Sequence, residues 1–154
     1  MKKSVLLFVL LGLLITCSKD DDSGTPYMGA KIDGSDWKAI TRVTVLEDEK
    51  FVITGTALNG EVVAITVFGT SEDTYELGLT SAGCAAVYKK SGLGTPTEDT
   101  YVSATGEVIL TDVNTSAQEI SGTFSFTLVK GLLNSTLTIT DGSFQNLSYT
   151  ITNN

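Results

Sequence analysis

Between Glu119 and Val129 the chain alternates without a break. Ile120, Gly122, Phe124, Phe126 and Leu128 fall on one side, and Ser121, Thr123, Ser125 and Thr127 on the other. A period of two is that of a half-buried β-strand with one wet face. Upstream, in YVSATGEVILTDV, Val102, Ala104, Val108 and Leu110 share a phase, so the two runs are expected to pair around a loop near residues 112–118. Downstream, Leu137 and Ile139 lead into Asp141-Gly142, expected to be a turn or bulge, after which Leu147, Tyr149 and Ile151 alternate again.

A second unit is KFVITGTALNGEVVAITVFGT. Asn59-Gly60 is the strongest short hairpin signal, because both residues tolerate the positive φ of a type I′ turn. A two-residue turn there pairs Leu58 with Glu61, Ile53 with Thr66 and Phe51 with Phe68. One face then collects Phe51, Ile53, Ala57, Val62, Ala64 and Phe68, and the other Val52, Leu58, Val63, Ile65 and Val67. A hairpin apolar on both faces wants cover on both sides.

From Tyr27 onward Thr, Val, Ile, Phe and Tyr dominate, broken at short intervals by glycine, and no window carries a helical stripe. This pattern predicts an all-β domain: an antiparallel meander of about 9–10 strands forming a β-sandwich or a flattened barrel. The alternation alone does not choose between the two. The length allows one domain.

Charge narrows the partners. The full chain carries a formal −8, and loss of a leader containing Lys2 and Lys3 would leave −10. An acidic surface without a basic stripe repels phosphate backbones, so no nucleic-acid partner is expected. The sequence contains no His, which removes the commonest general base and with it Ser-His-Asp and Cys-His catalysis. The remaining residue types nominate no catalytic set, no metal site and no cofactor.

The N-terminus gives an address. Met1-Lys2-Lys3 precedes a run of about twelve apolar residues, Val5 to Thr16, too short to span a bilayer, which needs about twenty. Residues 1–16 read as a cleaved signal peptide. Leu14-Ile15-Thr16-Cys17 resembles the bacterial lipobox, with Thr16 where Ala, Gly or Ser is usual, so Cys17 is the expected lipid attachment point, palmitate among its acyl chains. Several acyl chains on one residue anchor stably where a single chain does not. Residues 17–26 form an acidic tether. Ser18, Lys19, Asp20, Asp21 and Asp22 resemble the export signal of Bacteroidota surface lipoproteins, which places the protein on the outer membrane, exposed at the cell surface, with the periplasmic face as the alternative. If Cys17 carries lipid, Cys84 has no partner in the chain, and its small apolar neighbours suggest a buried, inert thiol at a strand start.

Three segments of the remaining domain, residues 27–154, resemble a family. AKIDGSDWKA (residues 30–39), ISGTFSF (120–126) and LTITDGSFQNL (137–147) are similar to Bacteroidota lipoproteins carrying the label DUF6252. The resemblance implies an all-β extracytoplasmic lipoprotein. It implies no activity and no site residue.

Few side chains stand out as candidates. Trp37, the only tryptophan, follows an Asp33-Gly34 turn. It is expected to plug one end of the core with its N–H on a backbone carbonyl; exposed instead, it would be a ligand-binding platform on which a sugar ring could stack, helped by Tyr75, Tyr88 and Tyr101. Glu47-Asp48-Glu49, Glu72-Asp73 and Glu98-Asp99 read as solvated turn acids, with a calcium site built from turn carboxylates as the alternative. The functional expectation is an envelope-anchored lipoprotein acting as a non-enzymatic binding or structural module for glycan or protein. The alternatives are a carboxylate-based hydrolase of surface glycans and an accessory or inhibitory subunit of another envelope protein.

Overall fold

A computed structural model describes residues 24–90, 99–131 and 135–152. Ten strands follow in order: β1 Tyr27–Ile32, β2 Ser35–Glu47, β3 Lys50–Ala57, β4 Val62–Val67, β5 Thr74–Leu77, β6 Cys84–Lys89, β7 Thr100–Asn114, β8 Glu119–Lys130, β9 Ser135–Ser148 and β10 Thr150–Thr152. The path β1-β9-β8-β7-β6-β4-β3-β2 returns to β1, which pairs with both β2 and β9. Every one of these pairings is antiparallel, so eight strands close an up-and-down barrel. Of the two architectures the pattern left open, the chain adopts the barrel. Closure satisfies both edges of the sheet, which a sandwich leaves exposed. Two short strands complete it: β5 on the edge of β7 beyond the stretch that β6 covers, and β10 parallel to the end of β2.

The interior is filled by side chains. Phe51, Phe144, Met28, Ile53, Ile65, Leu110, Ile120, Leu128 and Ile139 are all less than 2% exposed. The predicted face of β8 is borne out, with Ile120, Gly122, Phe124, Phe126 and Leu128 all inward. Bulges let the long strands coil enough to close. On β9 the register shifts twice against β8, and the two residues that absorb the shifts, Asp141 (φ 51°) and Asn146 (φ 49°), are of the types that tolerate the left-handed region. The expected bulge at Asp141-Gly142 is one of these.

Two sequence expectations are corrected. The β3–β4 hairpin has a three-residue loop, not a two-residue turn: Gly60 N–H donates to the Ala57 carbonyl, Ala57 N–H to the Glu61 carbonyl, and only Gly60 has positive φ (85°). The register is therefore Ile53↔Ile65 and Phe51↔Val67. A one-residue slip flips a whole strand. Val63, Ile65 and Val67 thus join Phe51 and Ile53 inside, while Phe68 stands 52% exposed. On β7 the four residues assigned to one phase split, because a bulge between Ser103 and Thr105 inverts the alternation. Val108 and Leu110 point in, and Val102 is 48% exposed.

Candidate functional site: a cleft at one barrel mouth

The tight turns position two different barrel ends. At one end lie the β1–β2 turn, Asp33-Gly34, and the β3–β4 loop. Asp33 (φ 46°) and Gly34 (φ 81°) form the turn predicted there, and the Asp33 carboxylate accepts from Thr138 N–H at 2.8 Å, tying the hairpin to β9. Trp37 closes this end. It is 4% exposed, and its ring reaches over Gly55, where a Cβ would sit 2.8 Å from its Cη2. Its role as a plug is borne out, but two parts of the expectation are corrected. The ring is no exposed platform, because β2 turns it inward beside Ala30 and Ala39. Its Nε1 has no hydrogen-bond partner among the described residues, where a carbonyl was expected. The tyrosines proposed as helpers are wall residues. Tyr88 is buried, its ring 6.0 Å from that of Tyr101, and Tyr75 bonds the Ser71 carbonyl through its hydroxyl at 2.9 Å.

The opposite end is open. Where β2 turns into β3, β7 into β8, and the chain crosses from β9 to β10, a cavity of about 460 Å³ enters the mouth. Its floor is aromatic: Phe51 and Tyr149 meet edge to face, centroids 5.1 Å apart at 70°. Tyr149 N–H donates to the Gln118 carbonyl at 2.8 Å, which fixes the C-terminal crossing against the β7–β8 turn. Leu46, Val113 and Ile151 form apolar walls. The rim carries Asp48, Glu49 and the hydroxyls of Thr70, Thr115 and Thr152, and among the described residues no cation lines it.

One of the rim acids sits where the backbone resists it. Asp48 (φ 48°) and Glu49 (φ 60°) make a two-residue turn between Glu47 and Lys50, both in the left-handed region. Asn or Asp followed by Gly is the favoured pair for such a turn, so Asp48 suits the first place while Glu49 in the second holds about 1–2 kcal/mol of conformational cost. Lys50 stands 3.9 Å from Asp48, a loose surface pair. Solvated turn acids were expected at Glu47-Asp48-Glu49, and a turn is found; that it rims a cavity was not foreseen. A hydrolase of two carboxyls needs them facing each other across the scissile bond. Asp48 and Glu49 are successive residues of one exposed turn.

Of the other sequence candidates, some lie in the described residues without lining the cleft and the rest fall outside them. Glu72 accepts from Val113 N–H at 3.3 Å, and Asp73 caps Thr74 N–H at 2.7 Å. Cys17, Ser18, Lys19, Asp20, Asp21, Asp22 and Glu98 fall outside the described residues. Among the described residues no three His, Cys, Asp or Glu side chains converge as a metal site.

Cys84 opens β6 as a buried thiol and donates to the Tyr75 carbonyl at 3.1 Å. Burial, opposed by a backbone hydrogen bond at Val108 and aided by the Glu107 charge, pushes it up to about 11 from 9.0. A raised acid holds its proton in the folded chain after the unfolded chain has lost it, so stability falls as pH climbs from about 9 to 11. Burial, together with Glu61, raises Tyr88 in the same sense at higher pH. Melting temperatures across this window should fall less steeply for Cys84→Ala than for the native chain. Equal slopes would show that the thiol is not buried neutral.

Fold and cleft together define an all-β barrel with a packed interior and one open mouth. The chain belongs to the family described as "Domain of unknown function (DUF6252)", whose model matches residues 24–148. No curated protein and no solved structure matches it.

Proposed function

We propose that this protein is an envelope-anchored lipoprotein, held by acylated Cys17 at the outer membrane and exposed at the cell surface, that binds a glycan through the mouth cleft and performs no chemistry on it. The observation that supports this reading most is the lining of the cleft. An aromatic and aliphatic floor suits the C–H face of a sugar, and a rim of carboxylates and hydroxyls suits its hydroxyl groups. The strain at Glu49 agrees with it, since unfavourable backbone is retained where it serves a site. Within the expected tether, residues 17–26, the Gly24 carbonyl accepts from Asn146 Nδ2 at 3.1 Å.

Two variants test the cleft, one at its rim and one at Val113, a wall residue that packs against the core. Asp48→Asn with Glu49→Gly relieves the turn, so it should stabilise the fold by about 1–2 kcal/mol while weakening binding on a neutral-oligosaccharide array about tenfold or more. Val113→Arg, half-buried at the wall, should abolish binding by filling the mouth. Array signals unchanged in both variants would remove the cleft as the binding site. Trp37 lies at the far end, so its emission should be that of a buried indole and should not respond to cleft ligands.

A further inference from the structure

β2 breaks the inward pattern of the barrel. Its interior positions run Trp37, Ala39, then past a bulge Arg42, Thr44 and Leu46, opposite Gly55, Ile53 and Phe51 of β3. A charge and a hydroxyl thus occupy two successive inward places of a wall that is otherwise apolar. Such local conflicts with the pattern mark sites with a purpose other than packing.

The wall has a gap at the same place. On the edge of β2 away from β3, β1 covers Ser35 to Lys38 and β10 covers Val45 to Glu47, leaving residues 39–44 without a strand partner on that side. A cavity of about 230 Å³ fills the gap, lined by Pro26, Arg42, Thr44, Leu147 and Ser148. Arg42 donates through Nη1 to the Ala39 carbonyl at 2.7 Å. A guanidinium offers five N–H donors, and among the described residues no carboxylate pairs with this one. Thr44 is 4% exposed, and its Oγ1 has no hydrogen-bond partner among the described residues. An orphaned buried hydroxyl beside an unpaired guanidinium is a poor design for packing alone, because each unsatisfied buried group is costly.

We propose that this gap is a pocket for a carboxylate group, held by the guanidinium fork of Arg42 and the hydroxyl of Thr44. The planar fork matches a carboxylate bidentately, Thr44 supplies a further donor from the buried side, and the volume fits a small acid or the acidic end of a larger molecule. The site is distinct from the mouth cleft, whose described lining residues include acids and no cation. The carboxylate has two natural sources: a free acid, or the chain's own Asp20, Asp21 and Asp22, which precede the lining residue Pro26 in sequence.

Arg42 is the only arginine in the chain, so its Nε–Hε NMR cross-peak is a single, unambiguous reporter. The experiment titrates residues 17–154, with Cys17→Ser to leave off lipid, with sodium acetate against sodium chloride at matched ionic strength. For a free acid, the peak should move saturably with acetate alone, with a dissociation constant on the order of millimolar. Thr44→Val, which fills the space without the hydroxyl, should weaken this at least about threefold. If the tether is the source, the peak should already sit at the bound position without acetate. It should then return to the free position in Asp20→Asn/Asp21→Asn/Asp22→Asn, which should regain the acetate response. A peak that moves equally with acetate and chloride, and does not differ between the native and the triple-Asn tether, overturns the proposal.

Discussion

Replacing Phe144 with Ala is expected to destabilise the barrel by about 3–5 kcal/mol, the range for deleting a fully buried aromatic ring. Phe144 is 0% exposed, stacks on Phe124 with centroids 6.2 Å apart, and fills the space left by Gly122 on the neighbouring strand. Its place is on β9 between the two positive-φ bulge residues, where the backbone is already committed and cannot collapse cheaply into a void. Urea denaturation should show the midpoint lowered with the slope unchanged. The neighbouring Ser143→Ala, at a half-buried position, should stay within about 0.5 kcal/mol. A Phe144→Ala cost below about 1 kcal/mol would mean that this part of the interior is not packed as described.

Gly122→Ala approaches the same spot from the opposite side and should also be costly, by about 2–3 kcal/mol. An added Cβ would stand 2.4 Å from the Ile109 carbonyl oxygen and 2.6 Å from Phe144 Cζ. The ring can move, but the carbonyl belongs to β7 and is held by the sheet, so relaxation removes only part of the clash. A double-mutant cycle separates the two contacts. Combined with Phe144→Ala, the Gly122→Ala substitution should cost less than it does alone, because one of its two collisions is gone. Strict additivity would assign the whole penalty to the strand–strand approach.

Much of this was legible in the sequence because period-two alternation depends only on strand geometry. The inward face of β8, the Asp33-Gly34 turn, the bulge at Asp141-Gly142 and Cys84 at a strand start all follow from residue type and spacing. The β3–β4 register did not follow, since Asn59-Gly60 serves equally as a two-residue turn or as the end of a three-residue loop with glycine left-handed. Both strands there are apolar on both faces, so hydrophobicity does not penalise the wrong slip. The phase inversion at Ala104 was equally silent, since a bulge residue needs no special side chain.

The two cavities were hidden for a different reason. The mouth cleft joins Phe51, Val113 and Tyr149 with a turn and the C-terminal crossing, residues far apart in sequence that share a place only once the barrel closes. Phe51 and Tyr149 read as ordinary core, which is what their inner faces are. A signal existed for the rim: Glu49 follows Asp48 at the second central position of a tight hairpin turn, where Gly would be favoured. Arg42 and Thr44 also left a trace, a charged and a polar residue in the inward phase of a strand. The bulge at Ile40, which sets that phase, conceals it.

The proposed function requires a lipid-held barrel outside the cytoplasm that works by contact. Intact-mass and N-terminal peptide mass spectrometry of the protein from its native membranes tests this most directly. The expected result is a chain beginning at Cys17, with diacylglycerol on its sulfur and a further acyl chain on its amine. A chain that retains residues 1–16, or begins at Cys17 with a free thiol, would contradict it.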